Sequence, residues 1–215
     1  MGDDSRSRDA WLGEDPLPAE PVSIVERWLS EAFADESLEN PHAIALATAD
    51  PDGRPSVRMV LCNAIDPVRG TFTMYTNRES RKGRALAADP RAAIAFHWPG
   101  RQVRVEGGVE WTPDEVCDAY FASRPLEARL GAWASRQSEP VASRAALLSE
   151  LAAVADRFDA REEADVVPRP PFWGGFTLVA DSVELWVSRR GRIHDRAAWR
   201  RGGEGLDWEV TRLQP

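Results

Sequence analysis

Three short apolar runs follow one another in residues 42–77, HAIALATADPDGRPSVRMVLCNAIDPVRGTFTMYTN, and they decide the fold. The runs HAIALATAD, SVRMVLCNA and TFTMYTN are separated by PDGRP and DPVRG, whose Pro, Gly and Asp residues are typical of turns. Consecutive strands joined by such short turns pair in antiparallel fashion. The stretch therefore predicts an antiparallel meander.

The rest of the chain combines predicted helices with further short strands. Helical spacing of apolar residues predicts helices from Pro21, after Ser80, and over residues 113–123 and 140–160. The predicted strands are RAAIAFHW, QVRVEGGVEW, GFTLVA, SVELWVS, RIHDRAAW and DWEVTRL, and REEADVVPRPP is a predicted linker.

These elements predict a mainly β (α+β) fold, an antiparallel barrel that is closed or split and carries peripheral helices. Residues 1–20 are rich in Asp, Ser, Arg and Pro, which predicts a mobile N-terminal arm. We expect residues 21–215 to form a single domain.

Composition and charge argue against several classes of function. The net charge of −8 and the pI near 5.0 argue against general binding of nucleic acid. No apolar run has the pattern of a signal peptide or the length of a membrane span, so we expect a cytoplasmic protein without a membrane partner. Cys62 and Cys117 lack metal-ligand spacing, and no glycine-rich dinucleotide motif or P-loop is present.

Positive charge is concentrated where a helix or strand does not favour it. Arg81 and Lys82 fall in the first turn of a helix that Asn77 or Glu79 is expected to cap, where the helix dipole favours anions. The pair fits a bound phosphate, and equally a solvated helix whose Glu79 offsets the charge. Arg58, within an apolar run, requires a solvent-facing strand side or a bound anion.

Two further groups suit an anionic or planar ligand. Tyr120 and Arg124 share one face of a predicted helix, as in a phosphate grip or a common surface pair. In the predicted strand GRIHDR, Arg192, His194 and Arg196 alternate onto one face, which favours a shared ligand. A planar ligand with hydrogen-bond acceptors around its ring would be bound by aromatic residues and hydrogen-bond donors. Candidates for this role include Gln102, Trp133, Gln137, Ser138 and Trp186. Together these features indicate a nucleotide-like cofactor.

Eight motifs in order closely resemble those of the pyridoxamine/pyridoxine 5′-phosphate oxidase family, from about Pro41 to the C-terminus: SVRMVL, MYTNRESRKG, RQVRVEG, YFASRP, GAWASRQS, PPFWGGF, VELW and RIHDR. The resemblance implies a split β-barrel homodimer with FMN at the subunit interface. It also implies oxidation of pyridoxine or pyridoxamine 5′-phosphate to pyridoxal 5′-phosphate, with O2 as electron acceptor and release of H2O2.

The resemblance assigns site residues motif by motif. The cofactor-binding residues that it implies are Arg58, Met59, Val60, Leu61, Tyr75, Thr76, Arg81, Lys82, Gln102, Gln137, Ser138, Trp186 and Arg196. The substrate-binding residues that it implies are Asn63, Tyr120, Arg124, Arg192 and His194. Arg192 and His194 would be the catalytic pair lying over the pyridine ring.

Three departures from the family pattern leave the substrate open. Asn63 stands where the family has lysine, Ala128 stands where it has serine, and the family's N-terminal Arg-x-x-Tyr lid is not recognisable. Asn63, the stretch HAIALATAD and the short arm favour a phenazine-biosynthesis-like FMN oxidase, whereas GAWASRQS, RQVRVEG and FWGGF favour the vitamin B6 enzyme. A non-catalytic protein that binds flavin or pyridoxal phosphate is a third alternative, against which Arg192 and His194 argue.

Overall fold

The computed structural model of the protein describes residues 9–160, 167–202 and 207–215. Its helices are α1 (Val22–Phe33), α2 (Arg81–Ala88), α3 (Asp114–Ala122), α4 (Leu126–Ala134) and α5 (Arg144–Arg157). Its strands are β1 (Ala43–Ala49), β2 (Pro55–Leu61), β3 (Ala64–Asp66), β4 (Thr71–Asn77), β5 (Arg91–Trp98), β6 (Arg101–Trp111), β7 (Trp173–Val187), β8 (Asp195–Arg201) and β9 (Trp208–Arg212). Short 3-10 turns cover Ala10–Gly13 and Arg190–Arg192.

The described strands form one curled antiparallel sheet in the order β2-β1-β5-β6-β7-β4-β3, with β8 paired to β7 and β9 paired to β8. Strand β7 is central, because its first half pairs with β4 and its second half pairs with β8. Strand β6 runs beside both halves, with a bulge at Glu106/Gly107. The predicted antiparallel half-barrel with peripheral helices is confirmed.

The predicted meander is correct only at its first turn. Strands β1 and β2 form the expected hairpin, but β4 pairs with β7 and with the short β3 rather than with β2. The turn DPVRG joins β3 to β4, so the chain leaves β2 at Cys62 and crosses to another edge of the sheet. Local turn chemistry predicts the β3–β4 hairpin, whereas the pairing with β7 depends on residues about 100 positions away.

Alternating side chains place the core on one side of the sheet. The pattern is clear in β1, where Ile44 and Leu46 are buried between less buried neighbours. Helix α1 lies against this core through Val25 and Trp28, which are fully buried. On β2 the alternation leaves apolar side chains outside: Val57, Met59 and Leu61 are 69%, 65% and 43% exposed. This edge strand therefore presents an apolar stripe.

Two predicted strands, GFTLVA and SVELWVS, are one continuous strand, β7. Residues 180–182 continue the strand instead of ending it, and Asp181 is the extra residue of a bulge, since Ala180 and Ser182 pair with the adjacent Gly107 and Glu106 of β6. Helix α4 was not predicted, because Pro125 in SRPLEARL suggests a break, although proline is favoured just before or at a helix start.

The N-terminal segment differs from the predicted mobile arm. Residues 1–8, like 161–166 of the predicted linker, lie outside the described residues. Two residues of this segment are packed into the core, since Asp9 is 1% exposed and Leu12 is fully buried, whereas residues 13–16 are exposed. The polar composition that predicts mobility includes Asp9, whose carboxylate is instead paired with Arg101 at 2.6 Å. None of the described helices is long and apolar enough to cross a membrane.

Candidate active site

The start of helix α2 forms a compact cationic corner. Ser80 caps the helix, and its hydroxyl accepts a hydrogen bond from Gly83 N at 3.2 Å. The expected cap at Asn77 or Glu79 is therefore wrong, and Asn77 instead orders the preceding turn by accepting from Glu79 N at 2.7 Å. A Cβ at Gly83 would lie 2.1 Å from the carbonyl oxygen of Arg78, so only glycine allows this close approach.

Lys82 lies buried in this corner, 8% exposed. Its Nζ donates to Gln137 Oε1 at 2.6 Å, Thr76 Oγ1 at 2.9 Å and Ser80 Oγ at 3.2 Å. All three acceptors are neutral. Burial, together with the charge of Arg58, lowers the pKa of Lys82 to about 8. The ammonium group is thus hydrogen-bonded but has no carboxylate partner among the described residues.

Arg58 projects from β2 towards the same corner and is also held by neutral groups. Its guanidinium donates to Leu46 O at 3.0 Å, Thr48 Oγ1 at 3.0 Å and Ser56 Oγ at 2.8 Å. Burial, and secondarily the charge of Arg81, lowers the pKa of Arg58. The solvent-facing alternative for Arg58 is therefore not what the structure shows, since the guanidinium is half-buried among oxygens.

Arg81 lies at the rim, with its side chain 57% exposed and 3.7 Å from the Asp50 carboxylate. Its backbone N–H donates to Ser138 Oγ at 3.2 Å, which brings the loop after α4 to the helix start. Three cations thus meet where the described residues supply one distant carboxylate. A phosphate fits this donor set, because it would neutralise the charges and accept several charge-assisted hydrogen bonds.

A cavity of about 480 Å³ opens beside the corner. Predicted cofactor residues on its wall are Met59, Val60, Leu61, Tyr75, Thr76, Lys82 and Gln137. Predicted substrate residues on its wall are Asn63, Tyr120 and Arg124, and Ala128 also lies there. The predicted site residues on this wall come from five separate segments of the chain, and the fold brings them together.

Stacked aromatic rings form one wall of the cavity. The ring of Tyr75 lies 4.0 Å from that of Tyr120 and 5.3 Å from that of Trp173, with interplanar angles of 12° and 5°. Burial raises the pKa of Tyr75, with smaller contributions from Cys117 and Tyr120. Trp173 was not predicted as a site residue. The two glycines that follow Trp173 were a sequence signal for close packing at this wall, because a Cβ at Gly175 would lie 2.8 Å from the Tyr75 ring.

Arg124 faces the cavity with an unsatisfied donor. Its guanidinium lies over the rings of Trp173 and Phe121, at 4.9 and 5.4 Å from their centroids. Its Nη1 is buried and has no hydrogen-bond partner among the described residues. Nearby, Asn63 Nδ2 donates to the Tyr120 hydroxyl at 2.7 Å. An orphaned buried N–H of a cation marks a place for an anionic acceptor.

A second group of predicted cofactor residues lies elsewhere on the sheet. Gln102, Trp186 and Arg196 occupy one row across β6, β7 and β8, because Trp186 is the register partner of both others. Arg196 donates through Nε and Nη2 to Glu184 Oε1 at 2.9 and 2.7 Å. None of the three lines the 480 Å³ cavity. In the single chain that the structure describes, the predicted cofactor residues therefore form two groups at different places on the sheet.

The predicted strand GRIHDR is wrong in its first half. Gly191 and Arg192 adopt left-handed backbone angles, with φ of 67° and 62°, and β8 begins only at Asp195. Arg192 and His194 consequently do not alternate with Arg196 on a strand face. Arg192 is exposed, whereas the His194 ring packs against Trp186 at 4.6 Å between centroids. The three side chains therefore do not share one strand face, and Arg196 is paired with Glu184.

Comparison with known proteins matches both parts of the chain to one family. Residues 30–158 match the family described as "Pyridoxamine 5'-phosphate oxidase", and residues 173–215 match its "Pyridoxine 5'-phosphate oxidase C-terminal dimerisation region". A pyridoxine/pyridoxamine 5′-phosphate oxidase of Anaeromyxobacter dehalogenans is 51% identical, over 93% of this chain and 100% of that protein. One of Burkholderia lata is 47% identical, over 96% of this chain and 94% of that protein.

A solved structure supports the same placement. PhzG from Burkholderia lata 383, in complex with tetrahydrophenazine-1-carboxylic acid, superposes with a TM-score of 0.82 at 32% identity, over 94% of this chain and 95% of that chain. The fold, the order of the motifs and the extent of these matches agree with the resemblance seen in the sequence. The chain belongs to the pyridoxamine 5′-phosphate oxidase family.

Proposed function

We propose that the protein binds FMN and oxidises pyridoxine or pyridoxamine 5′-phosphate to pyridoxal 5′-phosphate, with O2 as electron acceptor and release of H2O2. One observation carries the proposal: a single cavity has two separate cationic ends. Lys82 lines one end, with Arg58 near it but not on the cavity wall, and Arg124 with its unpartnered Nη1 lines the other. Two such ends suit two phosphate monoesters, one on the cofactor and one on the substrate.

The FMN phosphate is assigned to Arg58, Arg81 and Lys82, at the positive end of the α2 dipole. Tyr75, Thr76 and the Met59–Leu61 backbone would line the flavin, with Gln137 and Ser138 closing the same side. The row Gln102–Trp186–Arg196 would come from a second subunit. A homodimer with FMN at its interface is supported by the matched dimerisation region and by the exposed stripe on β2.

FMN held by these residues would supply the redox chemistry, namely hydride acceptance from the substrate carbon that bears the alcohol or amine and transfer of the electrons to O2. The chain's own residues bind and orient. Arg124 and Tyr120 would hold the substrate phosphate, and the stacked rings of Tyr75 and Tyr120 would give the substrate an aromatic wall to lie against. His194 accepts a hydrogen bond at Nδ1 from Arg189 N at 3.1 Å, so its neutral ring carries hydrogen at Nε2 and offers a donor.

We prefer the B6 substrate to a phenazine precursor because of this chain's sequence identity to two proteins from one organism. The chain is 47% identical to the Burkholderia lata pyridoxine/pyridoxamine 5′-phosphate oxidase and 32% identical to PhzG from Burkholderia lata 383. A phenazine-biosynthesis-like oxidase is the second candidate. Asn63 and Ala128 favour it, because both lie on the cavity wall and reduce its capacity to bind a phosphate.

The proposal is tested with purified protein supplied with FMN. We expect a yellow protein that consumes O2 and releases peroxide with pyridoxine or pyridoxamine 5′-phosphate, and much less with unphosphorylated pyridoxine or tetrahydrophenazine-1-carboxylic acid. Turnover of the phenazine precursor alone would favour the second candidate. A yellow protein inert to every substrate would favour a non-catalytic binding protein, and a protein that takes up no FMN would overturn every flavin-dependent candidate.

Replacing Asn63 by lysine is expected to lower KM for pyridoxine 5′-phosphate by about 5- to 10-fold, because an ammonium group would join Arg124 at the substrate end. Steady-state kinetics with Asn63→Met as the uncharged control separate charge from side-chain length. A fall in activity of Asn63→Lys on this substrate would show that asparagine is an adaptation to another ligand.

A further inference from the structure

The loop between β7 and β8 carries the predicted catalytic pair and is anchored by Arg189. The backbone N–H of Arg189 donates to His194 Nδ1 at 3.1 Å. Its side chain donates from Nε to Asp195 Oδ2 at 2.5 Å, and from Nη2 to Asp9 O at 2.9 Å. One residue therefore contacts the imidazole, the first residue of β8 and the N-terminal segment.

The N-terminal segment is itself firmly placed behind the loop. The Asp9 carboxylate accepts from Arg101 Nε at 2.6 Å and from Trp28 Nε1 at 3.1 Å. Gly13 packs against the Asp195 carboxylate, since a Cβ there would lie 3.3 Å from Oδ2. Arg189 thus links the loop to a buried, multiply bonded point of the core.

The loop needs such an anchor because its own backbone supplies few bonds. Gly191 and Arg192 are left-handed, and the turn closes on a long Ile193 N to Arg190 O contact of 3.4 Å. Arg190 and Arg192 are exposed, and the described residues offer their side chains no hydrogen bond or ion pair. Arg189, by contrast, is held at both ends of its guanidinium.

We propose that Arg189 is a positioning residue for His194. Its side chain ties the loop to Asp195 and to Asp9, and so keeps its backbone N–H directed at Nδ1. This fixes the imidazole as the Nε2–H tautomer and turns Nε2–H outward as a donor. The N-terminal segment from Asp9 to Gly13 is the support against which this arrangement is held. The catalytic consequence rests on the proposed function, whereas the tautomer does not.

The direct test is the ring tautomer of His194, read from 15N–1H long-range correlation spectra at pH 8.5, where ordinary imidazoles are neutral. The chain has three histidines, and loss of one signal in His194→Gln assigns the resonance. We expect a single Nε2–H tautomer in the wild type and in Arg190→Ala, the neighbouring arginine on the same loop. Arg189→Ala should show a mixture of the two tautomers. Arg189→Lys should show the same mixture with a smaller fraction of the second tautomer.

The kinetic test is anaerobic reduction of bound FMN by saturating pyridoxine 5′-phosphate in a stopped-flow instrument. We expect Arg189→Ala to slow this step about 10-fold with FMN affinity unchanged, because a displaced donor loses orientation rather than binding. An unaltered tautomer in Arg189→Ala, or equal changes in Arg190→Ala, would overturn the proposal. If Arg189→Ala does not fold, the Arg189→Lys spectra decide. If no B6 vitamer is a substrate, the tautomer spectra still test whether Arg189 positions His194.

Discussion

Replacing Lys82 by glutamine is expected to weaken FMN binding about 100-fold while leaving the apoprotein folded and more stable at pH 7. The glutamine keeps donors for the surrounding oxygens but removes the positive charge. Because the described residues offer Lys82 no carboxylate, its charge is compensated only when an anion is bound. Fluorescence titration of apoprotein with FMN measures the affinity, and thermal unfolding measures the stability.

The stability gain follows from the lowered pKa of Lys82. Burial and the charge of Arg58 reduce the pKa from 10.5 to about 8, so the folded apoprotein disfavours the ammonium form. A pKa difference of this size corresponds to at most roughly 3 kcal/mol at pH values below 8. The cost declines as pH rises from 8 to 10.5, because over this range the unfolded state binds more protons than the folded state and rising pH therefore favours folding. The advantage of Lys82→Gln over wild type should shrink over this range.

The same linkage predicts a proton uptake when FMN binds. At pH 9 the apoprotein's Lys82 is mostly neutral, and a phosphate dianion favours its charged form, so binding should take up about one proton. Calorimetric titrations in buffers of different ionisation enthalpy measure this uptake. Arg84→Gln is the matched control, since Arg84 lies on the same helix but is 57% exposed and paired with Glu139. Unchanged FMN affinity in Lys82→Gln, or an equal loss in Arg84→Gln, would remove Lys82 from the phosphate site.

Replacing Arg124 by methionine is expected to reduce kcat/KM for pyridoxine 5′-phosphate about 100-fold, chiefly through KM. The guanidinium is positioned by the faces of Trp173 and Phe121 and has one N–H without a partner. Methionine preserves contact with both rings and removes the orphaned donor. The free energy of unfolding should therefore stay the same or rise, which urea denaturation checks.

The controls for Arg124 are a second substrate and a second variant. Unphosphorylated pyridoxine lacks the group that Arg124 would bind, so its slow oxidation should be unaffected by Arg124→Met. Arg144→Met removes an exposed arginine at the start of α5, away from the cavity. Equal losses on both substrates would show that Arg124 shapes the cavity rather than recognising phosphate.

Much of the fold was predictable because it depends on local patterns. Turn residues and alternating apolar residues predict the strands of the half-barrel, and proline and apolar spacing predict α1. The pairing of β4 with β7 was not predictable, since nothing near Thr71–Asn77 specifies a partner a hundred residues away. Burial of Asp9 was missed for the same reason: its partner Arg101 is distant in sequence.

The sequence-based prediction of the site has its clearest physical basis where charge conflicts with local structure. Arg81 and Lys82 are unfavourable at a helix start, and this local conflict predicts an anion before any contact is known. Arg192 and His194 were placed on a strand because alternation in GRIHDR ignores the left-handed conformation of Gly191 and Arg192. Glu184 was missed as the partner of Arg196 because the two meet only through strand pairing.

Strand β7 carries Trp173 at its beginning, beside the cavity, and Trp186 near its end, in the row with Gln102 and Arg196. Buried side chains alternate on either side of Asp181, and the phase of the alternation changes at this extra residue, so deleting this one position would turn every later side chain, including Trp186, to the other face. The number of residues between the two indoles therefore decides which face of the sheet Trp186 occupies.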